Sequence, residues 1–294
     1  MAELAAIPRD NPLNRWRHRR FVGAQHRRDR ARRQTLGFHT FGPDWEALMA
    51  RPAPTDTRVE RTVWMLWLQG ETAAPPLVRH CIDTWRNHNP DWTIRVLDKD
   101  SVGAFIDLPP MPKTAKPNHI ANLIRLRLLT RYGGVWTDAT TLCRQPLDDW
   151  IDRAAQTGFF AFARPQPVRA LANWFIAAQT GHPLLEGWRS WSETYLLSGR
   201  RPQSYFWSHH TFDWLLRASP CLAREWRDVP KVSARGPHIL QRVLDADVTP
   251  GGARFSGTFA QVPLFKLNWK KGYTPDAVDA AIARGMQAWI GPPQ

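Results

Sequence analysis

The chain has 294 residues, 43% of them hydrophobic and 16 of them tryptophan, a composition that predicts a folded protein with a substantial core. No run approaches the roughly 18 apolar residues of a membrane-spanning helix. Cys81, Cys143 and Cys221 are odd in number and widely spaced, which disfavours a disulfide framework or a zinc site. Because the first residues also lack an apolar secretory core, we expect a cytoplasmic protein.

The formal charge of +14 is concentrated near the N-terminus, where nine arginines and one acid, Asp29, lie between Arg15 and Arg33. Two interpretations of this segment stay open. It contacts an anionic membrane or another polyanion, with Trp16 and Phe21 among the headgroups, or it is a basic arm that is solvated or folded onto the domain. The first would place the protein peripherally on the inner face of the membrane. No motif predicts a specific nucleic-acid partner.

The composition changes near residue 50. The proline-containing stretch 51–56 predicts a linker, so we expect a basic N-terminal extension and linker over residues 1–55 and one domain over residues 56–294.

The first part of this domain predicts alternating strands and helices. The apolar run Thr62–Leu68 is typical of a buried strand, and a helical pattern follows from Pro75 to His88. A second strand, Trp92–Leu97, and a short helix over residues 101–106 come next. This order indicates an α/β fold with a mostly parallel sheet, whose ligands bind at the carboxyl ends of the strands.

A longer helix is predicted from about Asn118 to Tyr132, with Asn122 and Arg125 on one face. Two glycines then turn the chain into a short apolar segment that contains Asp138. An unpaired carboxylate is costly to bury in such a segment, which favours a functional role for Asp138. The alternative is a structural aspartate that caps a turn.

Six motifs together resemble a known family. They occur in family-like order between about residues 60 and 272, and they are Trp64–Gly70, Trp85–Asp91, Arg131–Thr140, Asn173–Ala178, Tyr205–His210 and Phe265–Lys270. The chain resembles glycosyltransferases of the sugar-binding DXD group. It is most similar to the branch that contains capsular polysaccharide synthesis proteins and relatives of yeast α-mannosyltransferases, with the clostridial glucosylating toxins as distant kin. The resemblance implies a GT-A-type nucleotide-sugar-binding α/β sandwich.

The resemblance also implies catalytic residues. Arg125 matches an arginine that contacts the donor sugar and its phosphates. Asn122 stands where relatives often carry an aspartate, and its amide can still bind sugar hydroxyls. Asp138 matches the first acid of the DXD motif. Asp138, Arg125 and Asn122 are therefore the predicted catalytic residues.

Four further residues are predicted to contact the donor. Trp67 resembles the aromatic residue that stacks on the donor base, Trp136 would pack beside the sugar, and Asn173 resembles a sugar-contacting amide. Gln69 follows the first strand and is expected at the rim of the same site.

The leaving diphosphate must be stabilised, usually by Mn²⁺ or Mg²⁺ held by carboxylates. The predicted metal ligands are Asp138 and Thr140, which stands where relatives carry the second acid, so we expect a weakly held divalent ion. Lys266, Lys270 and the indole N–H of Trp269 complete the predicted donor-binding set, because they bring positive charge and donors that act without a metal.

His209 and His210 are candidates for contact with an acceptor hydroxyl or a phosphate, and His238 could join them. The alternative is that they are hydrogen-bonded structural residues. The sequence shows no paired carboxylates for double displacement, and the resemblance implies retention of anomeric configuration by a front-face route without a protein base.

Three functional hypotheses remain. The leading one is a glycosyltransferase that moves a sugar from a nucleotide-sugar donor to a saccharide or lipid-linked acceptor in surface or capsular polysaccharide synthesis. The second is a nucleotide-sugar- or glycan-binding pseudoenzyme with a degraded DXD motif, motivated by Asn122 and Thr140. The third is a polyanion-binding adaptor that uses the arginine segment.

Overall fold

The computed structural model describes residues 7–31, 41–54, 56, 59–246 and 259–290. Numbered in chain order, the strands are β1 Thr62–Leu66, β2 Thr93–Leu97, β3 Gly134–Thr137, β4 Thr141–Cys143, β5 Phe159–Gln166, β6 Arg169–Ala178 and β7 Leu264–Lys266. The helices are α1 Pro12–Ala31, α2 Phe41–Met49, α3 Pro76–His88, α4 Pro117–Tyr132, α5 Ile151–Ala154, α6 Pro183–Leu197, α7 Trp207–Ala218, α8 Pro220–Asp228, α9 Ile239–Leu244 and α10 Pro275–Ile290.

The central sheet has the strand order β2-β1-β3-β6-β5. β1 pairs in parallel with β2 and β3, and β6 runs antiparallel to both of its neighbours. All strands of this sheet except β6 therefore point in one direction, which confirms the prediction of an α/β fold with a mostly parallel sheet. β4 and β7 form a separate antiparallel pair.

Side chains of the central sheet enter a core on each face, because successive residues of a strand point to opposite sides. Val63 and Met65 join a core that includes Trp85 of α3. Trp64 joins the other core, with Trp188 of α6 and Phe212 of α7. Both faces of the sheet are therefore covered, so a ligand can reach the sheet only at its edge.

One predicted helix is wrong. Residues 101–106 form only a short 3-10 turn, Val102–Ala104. The Asp98 carboxylate holds this turn by accepting hydrogen bonds from the backbone N–H and the hydroxyl of Ser101 at 2.8 and 2.7 Å. The prolines that follow in residues 109–112 disfavour a longer helix.

The two glycines after α4 let β3 lie close against β1. Gly133 has a φ of +61° and Gly134 a φ of +90°, in the region that favours glycine. A Cβ at Gly134 would lie 2.4 Å from the backbone oxygen of Thr62. This close approach fixes where β3 ends and hence where Asp138 lies.

Helix α1 packs against α6 and α7 instead of extending away from the domain. His18 is buried, with Nε2 at 3.1 Å from Thr211 Oγ1 and its ring against Trp191 and Trp214. Asp29 pairs with Arg169 of β6 at 3.4 Å.

Residues 12–31 are therefore folded onto the domain, and contact of the exposed arginines with an anionic surface stays a prediction. Arg32 and Arg33 lie outside the described residues. The boundary between residues 55 and 56 stays a prediction. Within the described ranges, no helix combines the length and the apolar character that crossing a bilayer requires.

The burial of His18 predicts a pH-dependent stability. Burial, with a smaller contribution from Arg19, lowers the pKa of His18 to about 3. The unfolded chain binds a proton near pH 6.5 that the folded chain does not, so the stabilisation is complete above that pH and is lost as the pH falls towards 3. His18→Phe should reduce the slope of unfolding free energy against pH by up to about 1.4 kcal/mol per unit. Urea titrations between pH 7 and 4 measure the unfolding free energy of both proteins. Equal slopes of this free energy against pH would contradict the role of His18.

Candidate active site

A cavity of about 620 Å³ lies at the carboxyl ends of β1 and β3. Trp67 directly follows β1, and Asp138 directly follows β3. Since parallel strands end at the same edge of a sheet, these two residues meet at one rim. Lys266 of β7 also lines the cavity, together with Trp269 and Lys270 of the turn Trp269–Lys271.

Asp138 lies at the centre of this cavity. Its Oδ1 accepts hydrogen bonds from Trp136 Nε1 at 3.2 Å and from Arg125 Nη2 at 3.1 Å. Its Oδ2 is 3.6 Å from Lys266 Nζ, and its side chain is 31% exposed. The carboxylate that the sequence singled out is therefore paired with two cations and faces the cavity.

Arg125 is held rigidly beneath Asp138. Its guanidinium lies 4.9 Å from the ring centre of Trp136 and donates a hydrogen bond to the backbone oxygen of Asn173. Burial lowers the pKa of Arg125, and the charge of Asp138 opposes that shift. A buried guanidinium without its carboxylate would be costly, so the pair is structurally coupled.

Asn122 and Asn173 lie behind Arg125 and are not among the residues that line the cavity. Asn173 Nδ2 donates to Asn122 Oδ1 at 3.0 Å. Asn122 thus orients Asn173, whose backbone oxygen accepts from Arg125. The two side-chain amides therefore support Arg125 only through the Asn173 backbone. Direct contact of either amide with a sugar stays a prediction.

Lys266 reaches the cavity from β7. The pairing of β4 with β7 sets Thr141 opposite Lys266, and the backbone N–H of Leu267 donates to the oxygen of Thr140 at 2.9 Å. Lys266 Nζ donates to Thr140 Oγ1 while lying near Asp138. The ammonium group therefore lies between the two side chains predicted to bind a metal.

The oxygen atoms predicted to bind a divalent ion are already engaged by cations. At phosphate sites Mg²⁺ is bound through one or two carboxylates together with substrate phosphates and water. Asp138 is already paired with Arg125 and Lys266, and the Thr140 hydroxyl accepts from Lys266. Across the part of the chain that the structure describes, no group of three or more His, Cys, Asp or Glu residues could hold a metal. Metal dependence stays untested.

An aromatic wall faces the charged cluster. Trp67 and Trp269 contact each other edge to face, with ring centres 5.4 Å apart. Trp269 is 39% exposed, and Lys270 Nζ lies 5.9 Å from its ring centre. This wall can accept a flat base beside positive charge. Gln69 is exposed in the turn after β1 and is not among the residues lining the cavity.

His209 and His210 lie in α7 and do not line this cavity. His210 Nδ1 is 3.4 Å from Asp213 Oδ2, and the His210 side chain is fully buried. Burial, together with the charge of Arg169, lowers the pKa of His209 well below its usual value. Their positions favour the structural interpretation.

Three further side chains that the sequence did not assign to the donor site line the cavity. Tyr205 and Gln241 line it, and so does His238, which was only a minor candidate. Burial and the nearby Lys266 lower the pKa of His238 to about 4, so its ring is neutral near pH 7. Gln241 lies in the short helix α9, and no sequence motif marks its position.

The chain is similar to several known proteins. The family model of capsular polysaccharide synthesis proteins matches residues 49–282. The chain is 32% identical over 152 residues to an O-glycosyltransferase of Annulohypoxylon truncatum, covering 44% of this chain and 36% of that protein. It is 25% identical over 154 residues to the initiation-specific alpha-1,6-mannosyltransferase of Candida albicans, covering 42% and 40%. These alignments span about two fifths of the relatives' length.

One solved structure, the PaToxG glycosyltransferase, aligns with 94% of this chain and 97% of its own, at 13% identity and a TM-score of 0.39. A TM-score this low does not establish a shared fold.

Proposed function

The chain belongs to the family of capsular polysaccharide synthesis proteins, and we propose that it is a GT-A-type glycosyltransferase acting on a nucleotide-sugar donor and a saccharide or lipid-linked acceptor. The observation that carries this proposal is the convergence of Arg125, Asp138 and Lys266 at the carboxyl edge of the sheet, beside two exposed or partly exposed tryptophans. A role in surface or capsular polysaccharide synthesis and a cytoplasmic location belong to the same proposal.

In this proposal the donor lies along the cavity in one orientation. The base packs against the wall of Trp67 and Trp269, and the diphosphate lies between that wall and Lys266, within reach of Lys270. The sugar then lies over Trp136 and Asp138. The Asp138 Oδ2 oxygen can accept a hydrogen bond from a sugar hydroxyl, because its side chain is partly exposed.

The chemical step needs stabilisation of the leaving diphosphate. When the bond between the anomeric carbon and the phosphate oxygen breaks, the electron pair stays with the diphosphate, which gains negative charge. Lys266 and Arg125 are fixed cations in a partly closed cavity, where such groups stabilise developing charge most effectively. In this proposal the two side chains supply the charge for which a divalent ion was expected.

The resemblance implies retention of anomeric configuration, and the groups in the cavity bear on which retaining route is proposed. Among the described residues that line it, Asp138 is the one carboxylate, and it is already paired with two cations. Double displacement would need a free carboxylate as nucleophile. We therefore propose that the acceptor oxygen attacks from the face that the diphosphate leaves, and that its proton passes to a departing phosphate oxygen.

A nucleotide-sugar- or glycan-binding pseudoenzyme remains the second candidate. Asn122 and Thr140 favour it, since relatives carry acids at these positions. Both candidates bind the donor, but only a transferase consumes it. A thermal-shift panel of nucleotide sugars identifies the donor, because a bound ligand raises the unfolding temperature by mass action. Release of nucleoside diphosphate, with and without a saccharide acceptor, then separates the two.

Asp138→Asn should lower the rate of donor turnover at least about 100-fold, because the amide no longer holds both cations in place. The amide oxygen can still accept from Arg125 and Trp136, but Arg125 loses its counter-charge, so the variant should fold with reduced stability. Initial rates of diphosphate release measure the effect, and circular dichroism controls for folding. Turnover within twofold of the wild type would remove Asp138 from the mechanism.

Lys266→Gln should lower kcat by about 100- to 1,000-fold, as loss of one charge-stabilising donor does. Lys271→Gln is the matched control: Lys271 follows in the next turn and pairs with Asp245 outside the cavity at 3.3 Å.

The wild type should keep most of its activity after EDTA treatment. Activity that disappears with EDTA and returns with Mn²⁺ would show that a metal supplies the charge.

A further inference from the structure

Two further cavities connect the proposed donor site with α1. The second cavity, about 600 Å³, shares Tyr205 with the donor cavity. The third, about 850 Å³, lies along α1 and shares Arg201 and Gln203 with the second. We call the second and third cavities the basic groove. The shared lining residues show that the three cavities are neighbours between Asp138 and α1.

The groove is strongly positive. The residues that line the α1 cavity include no acid among the described residues, but they include six arginines: Arg15, Arg19, Arg20, Arg27, Arg200 and Arg201. Lys116 adds a charge in the second cavity. One of these charges is partly compensated, because Asp10 pairs with Arg15 at 2.7 Å. A concave surface lined by one sign of charge concentrates anions of opposite sign.

Exposed aromatic rings stand in the same groove. Trp16 is 54% exposed and lines the α1 cavity, and Tyr205 is 69% exposed where the groove meets the donor cavity. The Arg20 guanidinium stacks 4.7 Å from the Trp16 ring centre. The flat faces of these rings suit the apolar face of a pyranose ring.

The shape distinguishes this surface from a membrane-binding one. A helix that lies in a membrane interface presents a broad apolar face. The outer side of α1 presents Leu13 and Trp16 among arginines, and its inner side buries His18, Val22, Gln25 and Asp29 against the domain. A concave basic surface beside the donor cavity fits a charged chain better than a flat bilayer.

We propose that the basic groove binds an acidic oligosaccharide, with its carboxylates on the arginines and its sugar rings on Trp16 and Tyr205. The end of this glycan reaches the donor cavity and presents the acceptor hydroxyl. The fork of an arginine side chain matches the geometry of a carboxylate. The role as acceptor rests on the proposed transferase function, whereas binding of the glycan does not.

The test measures binding of a galacturonic acid hexamer by isothermal titration calorimetry, without a donor. The double variant Arg200→Glu/Arg201→Glu should weaken binding about tenfold or more, since two attractive charges become repulsive. Both side chains are exposed, so the fold should tolerate the change. The matched control is Arg224→Glu/Arg227→Glu, an equal charge change at exposed positions of α8, which should bind as the wild type does.

Trp16→Ala tests whether the groove recognises sugar rings or only negative charge. It should weaken the hexamer several-fold and leave binding of polyphosphate unchanged. A neutral glucose hexamer should bind at least tenfold more weakly than the acidic one. Hexamer binding is measured without a donor, and diphosphate release is measured without the hexamer, so a failure of catalysis and a failure of the groove give different results.

Three results would overturn the proposal. The two double variants could weaken hexamer binding equally, which would mean a loss of general positive charge. Phosphatidylserine vesicles could pellet the protein while the hexamer does not bind, which would assign the surface to a membrane. Trp16→Ala could leave hexamer binding unchanged, which would remove the stacking that identifies a sugar.

Discussion

The site depends on one ionic arrangement, the carboxylate of Asp138 between the guanidinium of Arg125 and the ammonium of Lys266. Arg125 in α4 and Asp138 after β3 are 13 residues apart, whereas Lys266 comes from β7, more than 120 residues further along the chain. Removing one partner from such a cluster leaves a buried or half-buried charge uncompensated. The arrangement therefore couples the fold of the domain to the charge distribution at its binding edge.

The rest of the structure positions this cluster. β3 ends beside β1 because Gly134 allows the two strands to approach closely, and Trp136 then supplies both a ring beneath Arg125 and an N–H to Asp138. The Asn122–Asn173 hydrogen bond holds the backbone that receives Arg125. The described site is thus largely preorganised, which is the condition for electrostatic stabilisation of a leaving group.

Sequence patterns predicted the parts of the fold that depend on local periodicity. Strand β1, helices α3 and α4, and the sheet's mostly parallel order followed from apolar runs and helical spacing. The location of Asp138 followed from its apolar surroundings and the glycines before it. The resemblance to the capsular branch predicted the same family to which the chain belongs.

Other features depend on contacts between distant segments, which periodicity does not report. No local pattern shows that Lys266 bridges Asp138 and Thr140, because β4 pairs with β7 across more than 120 residues. The packing of α1 was left open because its buried face is polar: His18 and Asp29 are buried there through partners on α7 and β6. The buried state of His209 and His210 likewise depends on tertiary packing.

The most direct test of the central claim is a crystal structure of the protein with a nucleoside diphosphate, prepared in EDTA. The account predicts the terminal phosphate within hydrogen-bond distance of Lys266 Nζ and the base against Trp67 or Trp269. A diphosphate bound outside this cavity, or one that leaves Lys266 paired only with Asp138 and Thr140, would contradict it.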